Sequence, residues 1–338
     1  QDELNYLNMS GVMQNIKVNT YLLMTLVMGL SATSVDVQSI EAETKNVNTV
    51  TDFTSLTHFG DNPGELLASV YLPKVKMVNN KQQNKLVVLL HGCGQNGETL
   101  SRQSGLLDLA QSHQFSLLVP QQVSTNNATA CFNWFSQQDQ QTEQGESLSI
   151  MNMIRTVQSK FNLDQVYIVG LSAGGAMASN LLSQYPGSFE AGAIIAGIPF
   201  PCADNLVKAI SCMKSGSDLS AKQQADRIMK LNKGVKQWPE LTIISGSADG
   251  IVNPKNSLDM AQQWSQLHQV SEQAQTQKGT NMTTTYWGDT KNVELIELDN
   301  IGHGFPVNPN VKGGGTVAPF VVASDLSAAQ YLVEKWIN

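Results

Sequence analysis

Charge is scarce in this chain. Asp, Glu, Lys and Arg make up only 14% of its 338 residues, against roughly 25% in a typical soluble domain. Gln, Asn and Ser supply the surface polarity instead. The formal net charge is −7, which leaves no basic footprint for a nucleic-acid partner. Long apolar runs are missing as well. The stretch 21–30 has ten residues, half the ~20 that a helix needs to cross a bilayer, so no stable membrane span is expected. Cysteine is limited to four residues, none in a C-x-x-C, and no H-E-x-x-H occurs. No metal site is therefore signalled, and no cofactor is expected.

What the N-terminus does contain is the pattern of an export signal. Lys17 precedes the apolar run 21–30, and the small residues Ser31, Ala32, Thr33 and Ser34 follow it. Asp2 and Glu3 do not suit a basic n-region, which points to translation starting at Met9 or Met13. Residues 1–34 are thus set apart as an extension with a signal peptide. Residues 35–338 are expected to form one domain of a secreted or periplasmic protein. Four cysteines fit that compartment as two disulfides, with three pairings open.

Within the domain, short apolar runs alternate with helical patterns. The runs are 66–72, 85–90, 115–119, 166–169, 191–198, 241–244 and 293–298. Their near-continuous apolar character is that of parallel strands covered on both faces. Between them Ile150, Ile154, Val157 and Phe161 recur at helical spacing, as do Leu258, Ala261, Trp264 and Leu267. Residues 325–337 read as a closing helix and 199–240 as a helical excursion. The expected class is α/β, a mostly parallel doubly wound sheet with helices on both faces.

Gly170-Leu171-Ser172-Ala173-Gly174 is a G-x-S-x-G box between the run 166–169 and a helical segment. That strand–turn–helix context is what a nucleophile elbow requires. A serine hydroxyl needs a base, usually a histidine oriented by a carboxylate. Of the five histidines, His303 lies in a Gly302-His303-Gly304 loop just past the run 293–298. His58, His113 and His268 read as surface or structural residues. Asp249 follows the run 241–244 in a turn; Asp289 and Asp299 are weaker alternatives. The order Ser172, Asp249, His303 is that of the α/β-hydrolases. Two backbone donors must face the developing oxyanion: the N–H of Ala173, and that of Cys93 in the loop after 85–90. The segment 92–97 also matches G-x-G-x-x-G. However, no acid follows the next strand to bind a ribose, which argues against a dinucleotide site.

Several motifs together resemble the esterase family of extracellular poly(3-hydroxybutyrate) depolymerases, which also holds feruloyl and acetylxylan esterases. They are Leu90-His91-Gly92-Cys93-Gly94-Gln95, Cys131-Phe132-Asn133-Trp134-Phe135, Gly145-Glu146-Ser147, the stretch 170–177 and the stretch 302–306. The resemblance implies the α/β-hydrolase fold and the same triad and oxyanion residues. It also implies a Cys93–Cys131 disulfide and a substrate-binding Trp134 beside the crevice. Cys202 and Cys212 enclose only nine residues and would staple the start of the excursion. The expected activity is serine-dependent hydrolysis of carboxylic esters, foremost poly- or oligo-3-hydroxyalkanoate. Feruloyl or acetylxylan esters come second, and a catalytically inactive binding protein is the rival of another class. Many polymer-degrading relatives carry a linker and a substrate-binding domain after the catalytic one. This chain ends at Asn338 with neither, so crystalline polymer is not expected to be its target.

Overall fold

The computed structural model describes residues 52–74, 84–270, 274–289 and 291–337. The export signal expected over 1–34, and the boundary at residue 35, lie outside the described residues. A ten-stranded sheet organises the rest. In chain order its strands are β1 (Phe53–Ser55), β2 (Leu67–Tyr71), β3 (Lys85–Leu90), β4 (Ser116–Gln121), β5 (Gln165–Leu171), β6 (Ala191–Ile195), β7 (Glu240–Gly246), β8 (Gln275–Lys278), β9 (Met282–Trp287) and β10 (Val293–Leu298). A separate pair, β11 (Phe305–Val307) and β12 (Val321–Ala323), runs parallel. The helices are α1 (Gly97–Gln103), α2 (Leu106–His113), α3 (Gly145–Phe161), α4 (Ala173–Gln184), α5 (Leu206–Ser215), α6 (Ala221–Leu231), α7 (Lys255–Leu267) and α8 (Ala328–Trp336).

Across the sheet the order is β1-β2-β4-β3-β5-β6-β7-β10-β9-β8. The central strands β4, β3, β5, β6, β7 and β10 are parallel neighbours. Antiparallel pairs flank them on both edges. Side chains alternate across the sheet with period two, and each face has its own core. Leu86, Val88 and Leu90 of β3 join the residues of α3, α4, α6 and α7 on one face. Val87 and Leu89 join α1, α2 and α8 on the other. Burial on both faces is why these strands read as unbroken apolar runs.

Several boundaries differ from expectation for local reasons. The run 191–198 stops being strand at Ile195, because Ala196 turns to a left-handed φ of 47° and donates its N–H to Ile244 O. The closing helix starts at Ala328, not Asp325, because the Ser327 side chain caps it by accepting Gln330 N–H. Leu258 does not join the α7 stripe; it is exposed, and Met260 takes the core position beside Ala261, Trp264 and Leu267. The excursion is helical as expected, in α5 and α6. The β8–β9 hairpin was not expected: β8 is exposed along its whole length, and β9 is rich in threonine. Antiparallel edge strands need no continuous apolar run.

Candidate active site

The G-x-S-x-G box forms a sharp turn at the C-terminal end of β5. Ser172 sits at φ 57°, ψ −118°, a region that costs a non-glycine residue on the order of 1–3 kcal/mol and persists only where its surroundings enforce it. The glycines on either side explain how the turn closes. A Cβ at Gly170 would lie 2.2 Å from Gly174 O, and one at Gly174 would lie 2.3 Å from Leu90 O. Backbone approaches this close leave no room for any side chain. Helix α4 starts at Ala173, whose N–H is one of the helical donors without an intrahelical acceptor.

Hydrogen bonds stitch together the loops at this end of the sheet. Ser172 N–H donates to Ile195 O, Ala196 to Ile244 O, Ser247 to Leu298 O and Ala248 to Ile301 O. The loops after β5, β6, β7 and β10 are thereby held in one rim. On that rim the Asp249 carboxylate accepts His303 Nδ1–H at 2.7 Å through Oδ2. Its other oxygen accepts the N–H groups of Ile251 at 2.8 Å and Val252 at 2.9 Å. The side chains of Asp249 and His303 retain only 1% and 6% exposure. Such an acid is fixed on both oxygens and aims its second at the imidazole. Bonded through Nδ1, the imidazole leaves its Nε2 free of Asp249. The Phe320 ring stands perpendicular to that of His303 with centroids 6.2 Å apart. No hydrogen bond joins the Ser172 hydroxyl to His303 among the described residues. Asp299, the alternative acid, is exposed.

The loop 91–97 lies against the elbow: a Cβ on Gly92 would come within 3.5 Å of Ser172 Cβ. Gln95 shapes it, accepting Gly92 N–H through Oε1 at 2.8 Å and donating its own N–H to Gly92 O. Cys93 is disulfide-bonded to Cys131, and Cys202 to Cys212. Trp134 is only 8% exposed and packs in the core, edge-on to Phe135. Its carbonyl accepts Asn180 Nδ2–H from α4. It therefore offers a ligand no open aromatic face. His113 and His268 close the C-terminal ends of α2 and α7, and His58 is exposed; none of the three is bonded to Asp249.

Some features around the site were not signalled by residue type or periodicity, although His91 and Glu146 lie in motifs named above. Phe320 lies in a loop without periodicity. Glu146 and His91 are completely buried, which their residue types would not suggest.

Comparison with known proteins identifies the family. The family described as Esterase PHB depolymerase matches residues 66–283. The chain belongs to that family of esterases. Poly(3-hydroxyalkanoate) depolymerase C of Paucimonas lemoignei is 32% identical, over 82% of this chain and 68% of its own length. Feruloyl esterase B of Talaromyces stipitatus is 27% identical, over 76% of this chain and 74% of its own. An acetylxylan esterase of Coprinopsis cinerea is 29% identical over 75% and 69%. Among solved structures, the acetyl xylan esterase from Aspergillus awamori superposes with a TM-score of 0.66, covering 74% of this chain and 93% of that one at 24% identity. The fold is that of the α/β-hydrolases, and this member of the PHB depolymerase esterase family is a carboxylic ester hydrolase.

Proposed function

We propose that Ser172, His303 and Asp249 form the catalytic triad of a secreted esterase that cleaves poly- or oligo-3-hydroxyalkanoates. The observation that carries the triad is the buried Asp249–His303 bond at 2.7 Å, on the same rim as a serine in the strained elbow conformation. His303 Nε2 takes the proton of Ser172 as the hydroxyl oxygen attacks the ester carbonyl. The oxyanion settles between the N–H groups of Ala173 and Cys93. The C–O bond to the leaving alcohol then breaks, and His303 returns the proton to that oxygen. Water, deprotonated by the same imidazole, attacks the acyl-enzyme. This releases the acid and restores Ser172. Asp249 holds the imidazole and stabilises its charged form. Trp134, packed in the core with little exposure, does not stack openly on substrate.

The polyester reading rests on the 32% identity to a poly(3-hydroxyalkanoate) depolymerase. The feruloyl and acetylxylan esterases, at 27–29% identity, make plant-wall esters the second reading. The two disulfides support export to an oxidising compartment. The test is a hydrolysis panel: hydroxybutyrate oligomers, amorphous polymer, methyl ferulate and acetylated xylan, each with wild type and Ser172→Ala. Preference for the oligomers supports the polyester reading, and preference for ferulate or xylan replaces it. Ser172→Ala is expected to lose about 10⁴–10⁶ in rate; retention of a tenth of wild-type activity would overturn the triad.

A further inference from the structure

Glu146 has no part in the chemistry above, yet its buried carboxylate is hydrogen-bonded on both oxygens. It lies in the first turn of α3 and is 0% exposed. Four N–H donors converge on it. Oε1 accepts from Gln122 Nε2 at 2.5 Å, Asn133 Nδ2 at 2.8 Å and Asn126 Nδ2 at 3.3 Å. Oε2 accepts the backbone N–H of Asn133 at 2.8 Å. Every partner is a donor, an arrangement that suits an ionised carboxylate at a helix N-terminus. Burial, with Asp139 nearby, pulls the other way and pushes its pKa up to about 8.

Two routes lead from these partners to one peptide group. Gln122 also donates to Cys131 O at 3.1 Å, and Asn133 lies two residues beyond Cys131, whose disulfide reaches Cys93. On the second route, the backbone N–H of Gln122 donates to His91 Nε2 at 3.1 Å. His91 must then carry its proton on Nδ1, which bonds Gly92 O at 2.7 Å. Gly92 O and the N–H of Cys93 belong to the same planar peptide and point in opposite directions. Holding that carbonyl on one side aims the Cys93 N–H on the other, and the disulfide holds the same residue by its side chain. Phe132, with its ring 4.9 Å from that of His91, packs the imidazole in place.

We propose that Glu146 is a positioning residue for the oxyanion loop, acting through Gln122, His91 and the Cys93–Cys131 bond to orient the Cys93 N–H. This rests on the oxyanion role given to Cys93 above. An oxyanion donor acts in the transition state, so misaiming it lowers kcat and spares KM. Glu146→Gln keeps the size of the side chain but turns an amide N–H₂ toward a shell made of donors.

The experiment is steady-state hydrolysis of p-nitrophenyl butyrate at pH 9, where Glu146 is ionised, by wild type, Glu146→Gln, Gln122→Ala, Cys131→Ser and the Glu146→Gln/Cys131→Ser double variant, with rates normalised to folded protein. Glu146→Gln and Gln122→Ala are each expected to lose about 10–100-fold in kcat with KM within about threefold. The double variant is expected to lose less than the product of its single losses, because both act on one peptide. Folded Glu146→Gln with wild-type kcat, or fully multiplicative losses, would overturn the proposal. If Glu146→Gln does not fold, Gln122→Ala decides alone by the same kcat criterion. Ser172→Ala, assayed alongside, separates the cases: its activity tests the triad, whereas an inactive Ser172→Ala beside a fully active Gln122→Ala refutes only the positioning role.

Discussion

Asp249→Asn tests the proposed triad most sharply, because the structure says what the change does to each bond. Asp249 Oδ1 accepts two backbone N–H groups, and Oδ2 accepts His303 Nδ1–H. The asparagine carbonyl oxygen can keep the two backbone bonds, so the turn carrying residue 249 survives. Its N–H₂ then faces His303 Nδ1 and can only donate. The imidazole is forced to accept at Nδ1 and carry its proton on Nε2, the nitrogen that must take the proton of Ser172. An imidazole in that tautomer is no base for the serine, and the charge that would stabilise the imidazolium is gone. The expected loss is about 10³–10⁴ in kcat, or about 4–5.5 kcal/mol of barrier. KM stays within about threefold, because Asp249 acts on the histidine and not on the substrate. The assay is p-nitrophenyl butyrate hydrolysis, with circular dichroism to verify the fold and Asp299→Asn as control. If Asp249→Asn keeps kcat within tenfold of wild type, or Asp299→Asn costs as much, the reasoning fails.

Three further outcomes are expected. Burial holds the His91 pKa down at about 4, against 6.5 in the unfolded chain. The native state therefore refuses a proton that the unfolded state takes up, and stability present above pH 6.5 is lost as pH falls toward 4. The amount is about 3 kcal/mol, read from urea unfolding at pH 7, 5.5 and 4.5; a His91→Asn variant with the same pH slope would contradict it. Cys131→Ser opens a link spanning 38 residues. By loop closure this costs about 3–4 kcal/mol, and an unchanged denaturation midpoint would refute it. Gly174→Ala drives a Cβ to 2.3 Å from Leu90 O and should destabilise the fold by about 2 kcal/mol or more; thermal unfolding within 2 °C of wild type, at roughly 2–4 °C per kcal/mol for a chain of this size, would show that the elbow can relax.

The sequence by itself determined what depends on neighbours along the chain. Strands buried on both faces must be apolar at every position, so 85–90 and 293–298 are legible to the residue as β3 and β10. The elbow is legible because the turn at Ser172 admits only glycine where the backbones touch. Family chemistry, ester hydrolysis with an α/β-hydrolase fold, was readable from those motifs and their order. The edge hairpin β8–β9 escaped because the exposed glutamines of β8 and the threonine run of β9 make no apolar run. Tertiary structure alone decided contacts between distant segments. Asp249 and His303 are 54 residues apart and meet only because β7 and β10 are neighbours in the sheet. Trp134 is walled into the core, and Leu258 is turned outward, by how the helices pack. Nothing in the local pattern buries a glutamate at residue 146. Its site exists only because Gln122, Asn126 and Asn133 converge on it, and a polar group is buried only where such partners meet it.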